Sequence, residues 1–214
     1  MPRAPARARP TLVLFVRHGR TPTTGKLLPG RAAGLHLSDD GRAQAHAVAE
    51  RLSVLRSIDA VYSSPLERTR ETAAPIAAAR GLKVRIERGL LEADIGDWTG
   101  RELKAVRRAP EWKAVQRHPS GFRFPGGESF LELQGRMVAT VERLRAAHPG
   151  GTVVAVSHAD PIKAAVAHAL GTHLDLFQRF AVSPCSVSVV AYADSAPVVL
   201  SVNSVGDLRA LRPS

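Results

Sequence analysis

Hydrophobic positions along this chain fall into short unbroken runs separated by stretches with helical spacing. Leu12-Val13-Leu14-Phe15-Val16 is one such run, and it leads straight into Arg17-His18-Gly19. A continuous apolar run of this length, closed by a turn residue, predicts a strand buried on both faces. The pattern returns at Thr152-Val153-Val154-Ala155-Val156-Ser157-His158. Ile58 to Tyr62 predicts another short strand. Leu82-Lys83-Val84-Arg85-Ile86 alternates apolar and charged residues and predicts a more exposed one. Val187 to Tyr192 and Val198 to Val202 predict a closing pair with a turn over Asp194 to Pro197.

Helical spacing fills the intervals. Ala43, Ala47, Val48, Leu52 and Leu55 follow the start signals of Leu37-Ser38-Asp39-Asp40-Gly41. Ser63-Ser64-Pro65 predicts a serine-capped helix with Pro65 at its first position, continuing through Thr72 and Ile76 to Gly81. Arg101 to Val115 is helical in character, with Pro110 as a break or a start. Gly126-Gly127-Glu128-Ser129 leads into an amphipathic helix through Leu133, Met137, Val141 and Leu144, and a last helix runs from Ala159 to Leu170. Strands alternating with helices predict an α/β fold with a mainly parallel sheet. Residues 93–150 are expected as a helical insertion between two strands. The long polar connection from Arg20 to Asp40 starts where the first strand ends, and is expected to cover whatever lies there.

The 214 residues fit one domain, expected over residues 11–214 after a disordered basic tail over residues 1–10. No apolar run approaches the ~18 residues of a membrane span. The first residues lack the apolar core of a secretory signal, and a cytoplasmic protein is expected. Cys185 is the only cysteine, which excludes an internal disulfide and a cysteine-based zinc site; a small buried residue is its simplest reading. The net charge of +11 comes mostly from arginines spread along the chain, without a dense run or interleaved aromatics. That distribution argues against a nucleic-acid partner and suits attraction of small phosphorylated substrates. No membrane partner is expected, and the sequence admits a homodimer without specifying one.

The strand ends carry the candidate chemistry. His18 and Arg17 fall at the carboxyl end of a central strand, where open α/β sheets place their ligands. An imidazole can act as a nucleophile and a guanidinium can hold a pair of phosphoryl oxygens. Taken alone, His18 is equally a strand-end histidine satisfied by backbone groups. Arg68 lies in the first turn of its helix, against the dipole, which suits a bound anion; a surface ion pair is the alternative. Arg70, two positions on, faces another way and is expected in solvent or an ion pair. Glu92 and Asp94 are carboxylates of the glycine-rich segment Leu90 to Gly100, and Asp94 reads as a solvated loop residue. His158 ends the second buried run. Together these supply a nucleophile, cationic groups and a proton donor, the parts of a metal-free phosphoryl transfer.

Four motifs in order carry these residues: Arg17-His18-Gly19; Ser64-Pro65-Leu66-Glu67-Arg68-Thr69-Arg70-Glu71-Thr72-Ala73; Leu91-Glu92 ahead of Gly96-Asp97-Trp98-Thr99-Gly100; and Ser157-His158. In this combination the chain resembles the histidine phosphatase superfamily, the phosphoglycerate mutase-like proteins, from Leu12 to about Val202. Leu174 to Arg179 resembles a branch whose members carry a phosphomutase label, which by itself shows no mutase activity. The resemblance implies a three-layer α/β/α sandwich and no metal or cofactor. It implies that His18 attacks phosphorus, that Arg17, Arg68 and His158 surround the phosphoryl group, and that Glu92 protonates the leaving oxygen. Many relatives have asparagine six positions after the histidine. Here that position is Thr24, whose shorter hydroxyl still donates one hydrogen bond, with Thr21 or Thr23 to compensate. Ala159 stands where relatives often have glycine. Thr21, Thr24 and Ala159 are therefore carried as substrate-binding candidates beside Arg17, Arg68 and His158.

The implied activity is phosphomonoester hydrolysis of small phosphorylated metabolites through a phosphohistidine. A phosphomutase, passing the phosphoryl group to a second substrate hydroxyl, is the enzymatic alternative. A catalytically silent phospho-ligand binding protein is the non-enzymatic one. The chain has no Gly-x-Ser-x-Gly elbow and no nucleotide loop of the Gly-Lys-Ser or Gly-Lys-Thr type. His158 and Asp160 lack the second acidic cluster of a metal-dependent phosphoesterase. Trp98, Phe122 and Arg123 read as packing or surface residues of a roof.

Overall fold

The computed structural model describes residues 9–206, so the tail expected over residues 1–10 lies almost wholly outside the described residues. Six strands form one sheet: β1 (Thr11–Arg17), β2 (Ala60–Ser63), β3 (Val84–Ile86), β4 (Thr152–Ser157), β5 (Val187–Tyr192) and β6 (Val198–Ser204). Their order is β3-β2-β4-β1-β5-β6. The first four are mutually parallel, whereas β5 runs antiparallel to both β1 and β6. The sheet is thus mixed, with one reversed strand. A helical crossover allows parallel pairing, whereas the short 193–197 connection joins β5 to β6 as a hairpin.

The four longer helices of the layers are α1 (Asp39–Leu52), α2 (Glu67–Ala78), α5 (Phe130–Ala147) and α6 (Ala159–Ala169), with the short α3 (Leu103–Val106) and α4 (Glu111–Arg117) between α2 and α5. Alternate residues of the central strands face opposite layers, as the period of a strand requires. Leu14, Val16, Val154 and Val156 bury against Val48 and Leu52 of α1 and Ala73 and Ile76 of α2. Val13, Phe15, Val153 and Ala155 bury against Met137 and Val141 of α5 and Ile162 and Val166 of α6. The result is a three-layer α/β/α sandwich. Since α5 belongs to a layer of the sandwich, the expected insertion over 93–150 does not stand apart from the sheet as a whole. Among the described residues, no helix is long and apolar enough to cross a membrane.

Local signals explain most boundaries. Ser38 caps α1, accepting from the Gly41 amide. Ser129 and Glu132 form a reciprocal capping box on α5. Pro110 sits at the N-cap of α4 and divides the helical stretch after Arg101. The serine-capped start expected at Ser64-Pro65 is displaced: α2 begins at Glu67 with Leu66 at the cap position and no side-chain cap. The Ser64 amide donates to the Val156 carbonyl at 3.0 Å, which holds this residue in line with β2, and its hydroxyl is engaged elsewhere. The chain can turn into the helix only afterwards.

Two features aim the fold at one place. Strands β1 and β4 pair in register from Leu12↔Thr152 to Arg17↔Ser157, and the His18 amide continues the ladder onto the Ser157 carbonyl at 3.0 Å. Both strands therefore end together, and His18 and His158 emerge side by side. Behind them, Gly19 and Gly41 permit close backbone approach: a Cβ on Gly41 would lie 2.0 Å from the Arg20 carbonyl oxygen. Gly41→Ala is expected to destabilise the protein by about 1–3 kcal/mol, because neither backbone segment can yield freely. Gly135→Ala on the exposed side of α5, where a Cβ meets nothing within 4 Å, is expected to stabilise by about 0.5–1 kcal/mol. Urea unfolding of both variants checks this, through opposite shifts of midpoint at unchanged slope.

Candidate active site

His18 is buried, and its Nδ1 lies 2.7 Å from the carbonyl oxygen of Gly19. A carbonyl only accepts, so Nδ1 carries the proton and the lone pair resides on Nε2. Burial first, and then the positive charges of Arg17 and Arg68, hold this imidazole well below its ordinary pKa. It is neutral at physiological pH. The Gly19 amide donates to Thr72 Oγ1 at 3.0 Å, and that hydroxyl donates to the Arg68 carbonyl at 2.7 Å. The turn that orients His18 is thereby tied to the helix that carries Arg68.

Arg68 is completely buried. One terminal nitrogen donates to the Gly30 carbonyl at 2.8 Å, while its Nε and other terminal nitrogen have no hydrogen-bond partner among the described residues. Arg17 donates through one terminal nitrogen to the Val182 carbonyl at 2.7 Å and leaves its buried Nε unpaired. Burial draws both guanidinium pKa values down from their ordinary value, which still leaves both charged. His158, also completely buried, places Nε2 3.0 Å from Ser64 Oγ and leaves Nδ1 without a hydrogen bond, 3.8 Å from Glu92 Oε2. The two imidazole centroids are 5.2 Å apart. Each unsatisfied buried donor costs about 1–3 kcal/mol. Several of them beside a neutral imidazole describe a site built for an anion.

A family model for the histidine phosphatase superfamily (branch 1) matches residues 13–205 of the chain. The chain belongs to the histidine phosphatase superfamily. A bifunctional protein of Mycobacterium tuberculosis is 34% identical over 205 residues, covering 95% of this chain and 56% of its own length. The chain thus spans little more than half of that relative. Phosphoserine phosphatase 1 of Hydrogenobacter thermophilus is 36% identical over 179 residues, covering 81% of this chain and 84% of its own. Among solved structures, a mycobacterial glucosyl-3-phosphoglycerate phosphatase superposes with a TM-score of 0.81 at 27% identity, covering 92% of this chain and 100% of its own.

In this histidine phosphatase superfamily member, Glu92 completes the cluster. Its Oε1 accepts from the Ala93 amide at 3.0 Å. Its pKa is pushed up to about 7, by burial first and then by the negative charge of Asp160, against the opposing pull of Arg68 and Arg17. A carboxyl group with that pKa holds a proton near neutral pH and can also release it. Asp160, in the first turn of α6 two residues after His158, adds its negative charge to the surroundings of the acid. Among the described residues no group of three or more histidine, cysteine, aspartate or glutamate side chains could hold a metal ion.

The remaining candidates are placed less directly. Thr24 Oγ1 accepts from the Thr21 amide at 2.8 Å and lies 3.0 Å from Thr21 Oγ1, which in turn lies 3.2 Å from Thr23 Oγ1. Thr24 thus closes a local turn with Thr21. Ala159 opens α6 directly after His158. Asp94 is not simply solvated: it forms an ion pair with Arg31 at 3.2 Å. Arg70 is exposed. Trp98 and Phe122 pack with Phe124 in a buried aromatic cluster, and Arg123 pairs with Glu132 at the surface. The connection after β1 is firmly attached: the Leu28 amide donates to the Arg101 carbonyl at 2.9 Å, the Gly100 amide to the Leu28 carbonyl at 2.7 Å and the Leu103 amide to the Lys26 carbonyl at 2.8 Å. Ser64 and Thr72, which contact His158 and the Gly19 amide, belong to the second sequence motif, but nothing in that motif singles them out for these contacts.

The raised pKa of Glu92 has a consequence for stability. Unfolded, this carboxyl ionises near 4.5; folded, it does so only near 7. Below both values the group is neutral in both states and costs nothing. As pH rises through the interval the folded state is increasingly penalised, by about 3 kcal/mol once both are ionised. Glu92→Gln removes that penalty. Its stability advantage over wild type is expected to grow between pH 4.5 and 7 and then level off, which thermal unfolding across that range measures; a difference independent of pH contradicts it.

Proposed function

We propose that this chain is a metal-independent phosphomonoesterase that acts on small phosphorylated metabolites through a phosphohistidine. The observation that carries the reading is the pairing of a fixed neutral imidazole, with its Nε2 lone pair free, and buried guanidinium donors that lack partners. The unpaired N–H groups of Arg17 and Arg68 and Nδ1 of His158 would hold the phosphoryl oxygens. A neutral imidazole is the form that attacks.

The reaction then divides into two balanced steps. His18 Nε2 forms a bond to phosphorus as the ester P–O bond breaks, and Glu92 gives its proton to the departing oxygen. In the second step a water attacks the phosphorylated His18, Glu92 takes the water's proton, and inorganic phosphate leaves with the imidazole restored. The same carboxyl must be acid first and base second, which suits a pKa near neutrality. The charged groups around the phosphoryl oxygens stabilise the transition state without moving. Ser64 would support the third donor: its hydroxyl lies 3.0 Å from His158 Nε2, and by donating there it would keep the proton on Nδ1, toward Glu92.

The named relatives support the phosphomonoester class, since two of them are phosphatases of phosphoserine and of glucosyl-3-phosphoglycerate. A phosphomutase would share the first step and differ in its acceptor, so it appears in the test as an isomerised product without phosphate release.

Turnover of p-nitrophenyl phosphate in EDTA, with wild type and His18→Ala side by side, tests the reading. Wild type is expected to turn over unchanged by EDTA and His18→Ala to fall to background. Activity that survives His18→Ala, or that EDTA abolishes, overturns it. For a substrate with a poor leaving group, such as glycerol phosphate, wild-type kcat/KM is expected to fall above about pH 7, as Glu92 loses its proton. Glu92→Gln should lower that kcat/KM about 100-fold or more, lower that for p-nitrophenyl phosphate far less, and abolish the alkaline limb.

A further inference from the structure

Glu92 lies on a segment with no strand or helix to fix it beyond a single short turn over Arg88–Leu90. Its backbone is nevertheless held at every step. Four successive carbonyls, from Gly89 to Glu92, each accept from a side chain. Arg136 of α5 donates through one terminal nitrogen to Gly89 at 2.7 Å and Leu91 at 2.9 Å, and through the other to Glu92 at 3.5 Å. Ser157, the last residue of β4, donates to Leu90 at 2.7 Å. Arg31, from the connection after β1, donates through Nε to Glu92 at 2.8 Å.

Both arginines converge on one carboxylate. Glu128 Oε1 accepts from Arg136 at 2.7 Å and from the Asp94 amide at 3.0 Å, and its Oε2 lies 3.1 Å from Arg31. Glu128 is the most buried of the three, with its side chain 14% exposed against 22% for Arg136 and 30% for Arg31. A partly buried carboxylate bridging two planar guanidinium forks is a strong and directional arrangement. It joins three parts of the chain that meet nowhere else in the sequence: the connection after β1, the Glu92 segment and α5. Arg31 also follows Gly30, the residue whose carbonyl receives Arg68.

We propose that Glu128, acting through Arg31 and Arg136, is a positioning residue that sets the Glu92 carboxyl against the departing oxygen. The inference rests on the acid role of Glu92 given above. The bracket grips the main chain on either side of Glu92. Among the described residues, the carboxyl itself has one hydrogen bond, from the Ala93 amide, and none from the bracket. Its effect is therefore geometric. Proton transfer demands donor and acceptor within hydrogen-bond reach, and a displacement of about 1 Å can cost up to about 100-fold. Leaving groups that need no proton should be indifferent to it.

The test is the ratio of kcat/KM for glycerol phosphate to that for p-nitrophenyl phosphate, since a ratio cancels any loss of folded enzyme. Glu128→Gln keeps shape and an acceptor for the Asp94 amide but removes the charge. Arg136→Lys keeps the charge but removes the fork. Each is expected to lower the ratio about 10- to 100-fold, with Glu128→Asp recovering part of it. In a Glu92→Gln background, Glu128→Gln should leave the ratio where Glu92→Gln alone puts it, because the group being positioned is gone. A wild-type ratio in both Glu128→Gln and Arg136→Lys overturns the inference. Failure of the underlying reading is separate: the Glu92→Gln ratio itself would then match wild type, or turnover would not depend on His18.

Discussion

A guanidinium buried with no carboxylate hydrogen-bonded to it among the described residues is the constraint on which this site depends. Arg68 is fully enclosed, bonded once to a backbone carbonyl, with two nitrogens left over. Arg17 is only partly buried, but its enclosed Nε also has no partner among the described residues. Burial first, and then positive charge held this way, keeps both imidazoles neutral, and the cationic cluster lacks an anion that a phosphoryl group would supply. The remainder of the fold supports this unfavourable concentration. The in-register pairing of β1 with β4 brings the two histidines together, and α2 delivers Arg68 from below while tying its backbone to the His18 turn through Thr72. Stability is given up locally so that charge complementarity exists before a ligand arrives, which is where electrostatic catalysis draws its advantage.

The carboxyl of Glu92 shows the same balance with the opposite charge. Burial and Asp160 raise its pKa while Arg68 and Arg17 lower it, and the outcome falls near neutrality. Neither influence alone would give a group able to donate and then accept a proton. The cations that would hold the phosphoryl group are also those that keep the acid from becoming permanently protonated. In the proposed reaction, phosphoryl binding and proton transfer would thus be coupled through one set of side chains.

Much of this was legible in the sequence, for particular physical reasons. Buried runs ending on His18 and His158 announce themselves, because a strand covered on both faces is continuously apolar. Arg68 stood out because arginine in a first helical turn opposes the dipole. What the sequence hid was long-range. Ser64 looked like a helix cap, yet its amide is claimed by β4 and its hydroxyl by His158, two contacts no local pattern encodes. Asp94 looked solvated because Arg31, its partner, lies 63 residues away. The Glu128 bracket was equally invisible, since each of its members reads alone as an ordinary surface charge. Thr24, a substrate-binding candidate by its place in the sequence, also closes a local turn with Thr21 that the sequence does not announce.

The central claim is that Nε2 of His18 carries the phosphoryl group between two steps. Because Nδ1 is committed to the Gly19 carbonyl, the claim extends to which nitrogen is used. The most direct measurement is to mix enzyme with a phosphomonoester, quench in alkali within the first turnovers, and locate the phosphoryl group by mass spectrometry and phosphorus NMR. The account predicts one acid-labile phosphoryl group per chain, bonded to Nε2 of His18 and absent from His18→Ala. Phosphate on Nδ1, on another residue, or on no residue during demonstrable turnover would contradict it.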